Sequence, residues 1–598
     1  MLRNSLRGLL LSMVLILVAG PAASTDAEKP ESTIDRWEWD TDHTAKQLPQ
    51  WETPEEREWF KDYVPPITVN DPPPLQPIRN VGEYEPMERA LIRYPLGIPY
   101  AVIREMDETV QISCVVSSSS YNTARTNFQN NGINPDTVDW IICASDSYWT
   151  RDYGPWFVFN GTGDVAIVDH KYNRPTRPND DAVPIRCAEH WGIPCHTHDL
   201  WATGGNYMTD GYGISFATDL IWDENAGMTH EQIFQRMQDY YGLNTFNVLH
   251  DGLISYIRHI DCWAKLLDEE TVLVKQVATN HPDYAILEQN SAIIASLVSS
   301  TGRPYRVVRV QCPSIGGTDV AGYTNSVIIN KKVIMPTFGN SSADNAALAV
   351  YREAMPGYEV LGMSGSWLTD DAVHCRVMGI PDFFMLRVEH TPIVEWHTAA
   401  PIPVTARIDP RSEMGVKPDS VLVYWRAYPA GNPPGAFSSQ VMTLTLTPQV
   451  YEAEIPGQGN GITVDYYIHA VDQSNRRAGM PRSEPAGWYS FDVTLPAADV
   501  ADLGVTGKAS LEQNWPNPFN PSTVFSFALE YDDNVRLAVY DAEGCLVRTL
   551  VDGRVDAGRH EIPWDGRDDK GRELAAGTYF YRLQAAGVSY SRKALLVK

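Results

Sequence analysis

The feature that most constrains this chain is a change of hydrophobic rhythm near residue 394. Before it, from about Pro77 to Ile393, short apolar runs alternate with stretches of helical spacing. The runs include VQISCVV from Val110, VDWIIC from Val138, DVAIVDH from Asp164, TVLVKQV from Thr271 and SVIINKKVIMP from Ser326. Helical spacing predicts helices over His230–Gly242 and His281–Gly302, the second running up to a glycine placed to cap it. Strands alternating with helices over some 300 residues predict one α/β domain, residues 77–393. From Val394 helical spacing vanishes. SVLVYWRAY (Ser420), QVMTLTLTP (Gln440) and VDYYIHAVD (Val464) are β-rich and punctuated by turn residues, which predicts an immunoglobulin-like sandwich over 394–496. A second all-β module spans 511–598, with NWPNPFNPSTVFSF (Asn514), VRLAVYDAEGCLVRTL (Val535) and a terminal RKALLVK.

The N-terminus reads as a secretory signal over residues 1–24. Arg3 and Arg7 precede the apolar run Leu9–Ala19, and Ala22-Ala23-Ser24 supplies small residues for cleavage. No other segment is long and apolar enough to span a bilayer, so the mature chain is expected to have no transmembrane span. Residues 25–76 are polar and proline-containing, as in a pro-segment or arm. Within them, Thr53–Tyr63 predicts a short amphipathic helix with a Thr cap, and Asp71–Pro77 (DPPPLQP) a stiff extended linker. Net charge is −27, from 75 acidic against 48 basic residues, which argues against a nucleic-acid partner. The same charge suits a soluble extracellular protein. Eight scattered cysteines without a CxxC pair do not form a disulfide scaffold.

Several residues could carry chemistry. Cys375 lies between His374 and Arg376, and nearby cations lower a thiol's pKa. A cysteine in such a segment is also commonly a buried structural residue. His259 and Asp261 are two apart, so on a strand they would face one cleft. Tyr148 to Phe157 crowds aromatic rings around Arg151 and Asp152. Aromatic walls and a carboxylate suit a planar guanidinium. Thr203–Gly213 is glycine-rich and permits close backbone approach, without the spacing of a phosphate loop. Asn325 opens an apolar strand. Cys195-His196-Thr197-His198 lacks a matching second pair of metal ligands.

Taken together, WTRDY (Trp149), YNRPTRPND (Tyr172), TGGNYMTDGYG (Thr203), HIDCW (His259), YTNS (Tyr323), AMPGYE (Ala354) and DAVHCR (Asp371) resemble the guanidino-group-modifying superfamily. Within it they are most similar to secreted bacterial peptidylarginine deiminases, relatives of the agmatine deiminases. The resemblance implies a five-bladed α/β propeller (pentein) catalytic domain followed by two all-β, immunoglobulin-like domains. It implies Cys375 as nucleophile, His259 as general acid/base, Asp152 and Asp261 as the guanidinium clasp, and Asn325 as the last of the catalytic group. Trp149 and Tyr256 would line the slot. Arg174 and Arg177 would bind the α-carboxylate of a C-terminal arginine. The family's motif has a single proline between its two arginines, whereas here Pro175-Thr176 lies between them. No metal or cofactor is implied. The final module resembles the sorting domains of secreted bacterial proteins, implying the secretion machinery as a partner and the medium or outer surface as the location.

The expected activity is therefore hydrolysis of peptidyl-arginine to citrulline and ammonia. An agmatine or other small-guanidine deiminase shares the same core. A cysteine protease would not explain two guanidinium-gripping aspartates. A non-catalytic adhesin would not explain why every catalytic position is occupied.

Overall fold

The computed structural model describes residues 48–50, 52–60, 70–251, 253, 257–412, 414–495, 509–517, 519–529, 531–541, 546–585 and 588–596. The expected signal over 1–24 and the slot residue Tyr256 lie outside the described residues. Two compact units are present, residues 1–494 and 495–598.

Among the described residues, five small sheets of like construction, together with one two-stranded pair, Ser314–Gly316 with Asp319–Val320, make up the α/β part of the first unit. In three of them a short antiparallel pair is followed by a helix and then a parallel strand. These are Met208–Thr209/Ile214–Thr218 with Thr245–Leu249, Ala264–Leu266/Thr271–Gln276 with Arg306–Gln311, and Val327–Ile329/Lys332–Thr337 with Glu359–Ser364. The intervening helices are His230–Tyr241, Tyr284–Ser296 and Ser341–Ala354. A fourth sheet pairs Trp156–Phe159 with Val165–Tyr172 antiparallel and adds Cys195–Ala202 parallel, across the helix Val183–Trp191. The fifth is closed by the end of the domain. Met378–Pro381 pairs antiparallel with Met87–Tyr94, which runs parallel to Gln111–Val116. Sequence distance is thus bridged by a ladder that places Met378 opposite Leu91.

Local rules explain the helices. His230–Tyr241 starts on a reciprocal capping box between Thr229 and Gln232 and ends on Gly242, whose φ of +70° is left-handed. It buries Ile233, Met237, Tyr240 and Tyr241, one stripe at helical spacing. Each such side chain contributes about 1.5–3 kcal/mol when removed from water. The second expected helix is shorter than its apolar pattern. It spans Tyr284–Ser296, because the chain then turns extended and Val298 bridges Pro304. Gly302, at φ +82°, serves that reversal rather than capping the helix.

The sandwich after the α/β part belongs to the same unit. One of its sheets orders Leu386–Glu389, Ile402–Pro410, Val450–Ile455 and Thr443–Leu444; the other centres on Ile462–Val471 between Leu422–Pro429 and Tyr489–Val493. Its first strand therefore comes from within the stretch that pattern alone gave to the α/β domain. Arg482 seats the sandwich, with its guanidinium 2.5 Å from Glu269, 3.4 Å from Glu85 and over the Tyr84 ring at 5.0 Å. The second unit is all-β, with Phe519, Phe525, Trp564, Tyr579 and Tyr581 at its core.

Candidate active site

Each of the five sheets delivers one turn to a common place, just upstream of its antiparallel pair. Cys375 stands three residues before Met378–Pro381, Asp261 three before Ala264–Leu266, and Gly205 three before Met208–Thr209. Asn325 stands two before Val327–Ile329, and Asp152 four before Trp156–Phe159. The turn Thr150–Tyr153 packs on both Gly204–Asn206 and His374–Arg376, and Gly204–Asn206 packs on Ile260–Cys262. Repetition of one backbone plan thus brings residues from 152 to 375 within bonding distance.

Asn325 fastens the turn that carries Cys375. Its carboxamide oxygen accepts from the backbone N–H groups of Ala372 at 3.0 Å and His374 at 3.1 Å. Its Nδ2 donates to the Cys375 Sγ at 3.1 Å and to Asp261 Oδ2 at 3.3 Å. The Cys375 thiol is fully buried and lies 3.6 Å from Asp261 Oδ2. Burial pushes this thiol's pKa well up, and the charges of Asp261, Asp371 and Asp152 push it further. The expectation that His374 and Arg376 lower it is therefore corrected. Both side chains face other partners. His374 bridges Asp261 Oδ2 through Nδ1 and Glu83 through Nε2, each at 2.7 Å. Glu83 in turn accepts from Lys265 at 2.8 Å and from the backbone N–H of Ile328 at 2.8 Å. Arg376 makes two hydrogen bonds to Asp371, at 2.8 and 2.6 Å.

The three rings Tyr148, Trp149 and Trp367 surround the Arg376 guanidinium at 5.2, 5.4 and 5.1 Å. The aromatic cluster legible in sequence therefore holds a guanidinium of the protein itself. The indole N–H of Trp149 donates to the Leu48 carbonyl at 3.0 Å. Arg151 does not pair with neighbouring Asp152; its guanidinium lies 3.7 Å from Glu83.

Asp152, His259 and Asp261 converge on Gly205. A Cβ there would lie 2.5 Å from His259 Nδ1, 2.7 Å from Asp152 Oδ1 and 3.3 Å from Asp261 Oδ1. Only a glycine lets the backbone come so close. Among the described residues neither His259 ring nitrogen nor Asp152 Oδ1 has a hydrogen-bond partner, and Nδ1 and Oδ1 are 3.5 Å apart. Burial drives the His259 pKa down to about 3, so the ring is neutral at rest. Burial and the charge of Asp261 drive Asp152 up to about 8. Burial would raise Asp261 too, but the hydrogen bond and charge of His374 outweigh it and keep that carboxylate ionised. The pocket thus pairs one fixed anion with two groups, Asp152 and Cys375, whose protons an arriving cation would displace.

The arginine pair sits beside this pocket. Arg174 donates from Nε and Nη2 to the backbone carbonyl of Gln50, at 3.2 and 3.1 Å. Fully buried Arg177 grips both oxygens of Glu56, at 2.9 and 3.0 Å. The extra residue of the motif, Thr176, also donates to Glu56 at 2.8 Å.

Residues 98–381 match the family model described as Porphyromonas-type peptidyl-arginine deiminase. The chain carries a peptidyl-arginine deiminase family domain. This deiminase is a hydrolase acting on C–N bonds of amidines. It is 23% identical over 314 residues to the agmatine deiminase of Medicago truncatula, across 44% of this chain and 82% of that one. The agmatine deiminase of Ectopseudomonas mendocina is 23% identical over 318 residues, across 46% and 84%. A solved C. jejuni agmatine deiminase aligns with TM-score 0.44 and 18% identity over 51% of this chain and 96% of its own. Residues 520–588 of the second unit match the FlgD Ig-like domain model. Sequence reasoning did not single out Gly205, Glu83 or Gln50. Gly205 was signalled by its glycine pair; Glu83 and Gln50 carry no local mark, since their importance lies in contacts far along the chain.

Proposed function

We propose that this deiminase converts peptidyl-arginine, in particular C-terminal arginine, to citrulline. One observation carries it. Gln50 puts its side-chain amide on Asp152 Oδ2 at 2.9 Å while its own backbone carbonyl rests on Arg174. The distance from the guanidinium clasp to Arg174 is therefore that from an amino-acid side-chain end to its own carbonyl group. Agmatine has no group to place on Arg174; a C-terminal arginine places a carboxylate there, with charge to match.

The chemistry follows from the resting charges. A bound guanidinium ionises Asp152, which with Asp261 holds it in plane and in register. Cys375 loses its proton to His259 and its sulfur bonds to the guanidinium carbon. Protonated His259 gives that proton to the departing nitrogen, the C–N bond breaks and ammonia leaves. The result is a cationic amidino-thioether. His259, again neutral, takes a proton from water as the water oxygen bonds to the same carbon. The C–S bond then breaks and releases the ureido product, and the thiolate recovers its proton.

The five like sheets are read here as the blades of a five-bladed propeller, with the site on its axis. The chain is read as exported, with its last module serving sorting or anchoring. No helix among the described residues is long and apolar enough to cross a membrane. The test is mass spectrometry and ammonia release with three substrates: a peptide ending in arginine, the same peptide with arginine internal, and agmatine. Citrulline formed mainly at the C-terminal arginine, and lost in Cys375→Ala, is expected. Turnover of agmatine alone would overturn the peptide assignment, and equal rates on internal arginine the role of the carboxylate.

A further inference from the structure

The segment 48–60 lies before the deiminase domain, yet its contacts are with the site. Trp149 receives the Leu48 carbonyl, Asp152 receives the Gln50 amide, Arg174 receives the Gln50 carbonyl and Arg177 receives the Glu56 carboxylate. Gln50 is fully buried. A carboxamide is planar and offers N–H donors, so it satisfies Asp152 as one edge of a guanidinium would. It carries no charge and has an amide carbon in place of the amidinium carbon. Gln is also shorter than Arg by the Nε–Cζ unit, so it fills the clasp without presenting a substrate.

The segment is held at its other end by built structure. Pro54–Phe60 is a helix, and its first turn closes a capping box in which Thr53 N–H donates to Glu56 at 2.7 Å and Glu56 N–H to Thr53 Oγ1 at 3.2 Å. That same Glu56 fills the fork of Arg177. Burial would push its carboxyl up, but the hydrogen bonds and charge of Arg177 prevail and hold it at about 2. The anchor therefore stays ionised at any physiological pH.

We propose that the cleft from Cys375 to Arg177 is a docking surface for residues 48–60 of the same chain, and that the full-length protein is a latent form whose substrate slot Gln50 occupies. The proposal rests on the deiminase assignment for its meaning, but its test does not. The reaction of Cys375 with 2-chloroacetamidine, a small cationic alkylator, reports access to the slot whatever the natural substrate. In the reaction the thiolate sulfur bonds to the CH2 carbon and chloride leaves.

Full-length protein and its Gln50→Ala/Glu56→Ala variant are compared by mass of the Cys375 peptide. The variant is expected to be alkylated at least tenfold faster. A synthetic peptide of residues 46–60, added to the variant, should restore the slow rate in proportion to its concentration. Equal rates in the two proteins overturn the proposal. Fast alkylation that the peptide does not slow also overturns it, because the variant would then have opened by general loosening. Glu56→Gln alone keeps the helix and removes only the charge; at least threefold faster alkylation is expected, and an unchanged rate counts against docking. Citrulline formation is read in parallel. A slot that opens without any turnover would leave docking intact and sink the deiminase assignment instead.

Discussion

Gly205→Ala is the sharpest perturbation of the site. The added methyl would lie 2.5 Å from His259 Nδ1 and 2.7 Å from Asp152 Oδ1, distances that real Cβ atoms do not keep. Relief requires movement of roughly half to one ångström, and the groups that must move are His259 and Asp152. A misplacement of about 1 Å at reacting groups costs about a hundredfold. At about 1.36 kcal/mol per decade, that is about 2.7 kcal/mol of transition-state stabilisation. Overpacking costs about 1–3 kcal/mol of fold stability. The domain should therefore still fold, with a melting temperature lowered by several degrees at most. The assay is ammonia release at saturating and subsaturating substrate, in the Gln50→Ala/Glu56→Ala background where the slot is open. Loss in kcat and little change in melting are expected. Activity within threefold of the parent would refute the idea that Gly205 is glycine because His259 and Asp152 press on it.

Other expectations are independent of that one. Asp152 has a folded pKa raised to about 8, so its contribution to stability is complete below its unfolded pKa near 4 and is lost as pH rises through about 8. Denaturant titrations at pH 5 and pH 8 should show a smaller drop in stability for Asp152→Asn than for the parent; equal drops would contradict the burial argument. Arg376→Lys removes the fork to Asp371 and the fit to three rings. It should destabilise by about 3–5 kcal/mol, since it leaves Asp371 buried without its full partner. Melting of the full chain measures this, and a shift of only a degree would refute it. In the same Gln50→Ala/Glu56→Ala background, Arg174→Ala should raise KM for peptides ending in arginine and leave agmatine turnover unaltered; comparison of the two substrates decides it.

Much of the architecture could be read from residue patterns. The runs from Val110, Asp164 and Thr271 are strands, and His230–Tyr241 is a helix ending at its glycine. Alternation of period 2 and period 3.6 survives in one sequence because each strand is half of a small buried sheet. Five sheets share one backbone plan. The plan fixes backbone hydrogen bonds and the sense of burial, which many apolar residues satisfy, so the sheets need not look alike in sequence. The apolar run after Ser296 read as more helix because local pattern cannot see the bridge from Val298 to Pro304. In the site, residue types pointed to Cys375, His259, Asp261, Asp152 and Asn325, and the structure brings them together. The direction of the thiol's shift was misread for a physical reason. The chain neighbours of Cys375 are the basic side chains His374 and Arg376, whereas its spatial neighbours are carboxyls. Arg177 was placed with Arg174, and its fork holds Glu56, which no local motif ties to it.

The ladder between Met378–Pro381 and Met87–Tyr94 also has a temporal meaning. During synthesis the first module is left without its fourth strand until nearly the whole domain has emerged, and Cys375 sits three residues ahead of that strand. Contacts so far apart in sequence form slowly, since a long loop must be closed before they repay its entropy. The thiol therefore meets Asp261 and Asp152 only after the chain of every other module has been made. A chain cut short anywhere before residue 375 would lack Cys375 altogether, and one that misfolds at any module would have a cysteine without its partners.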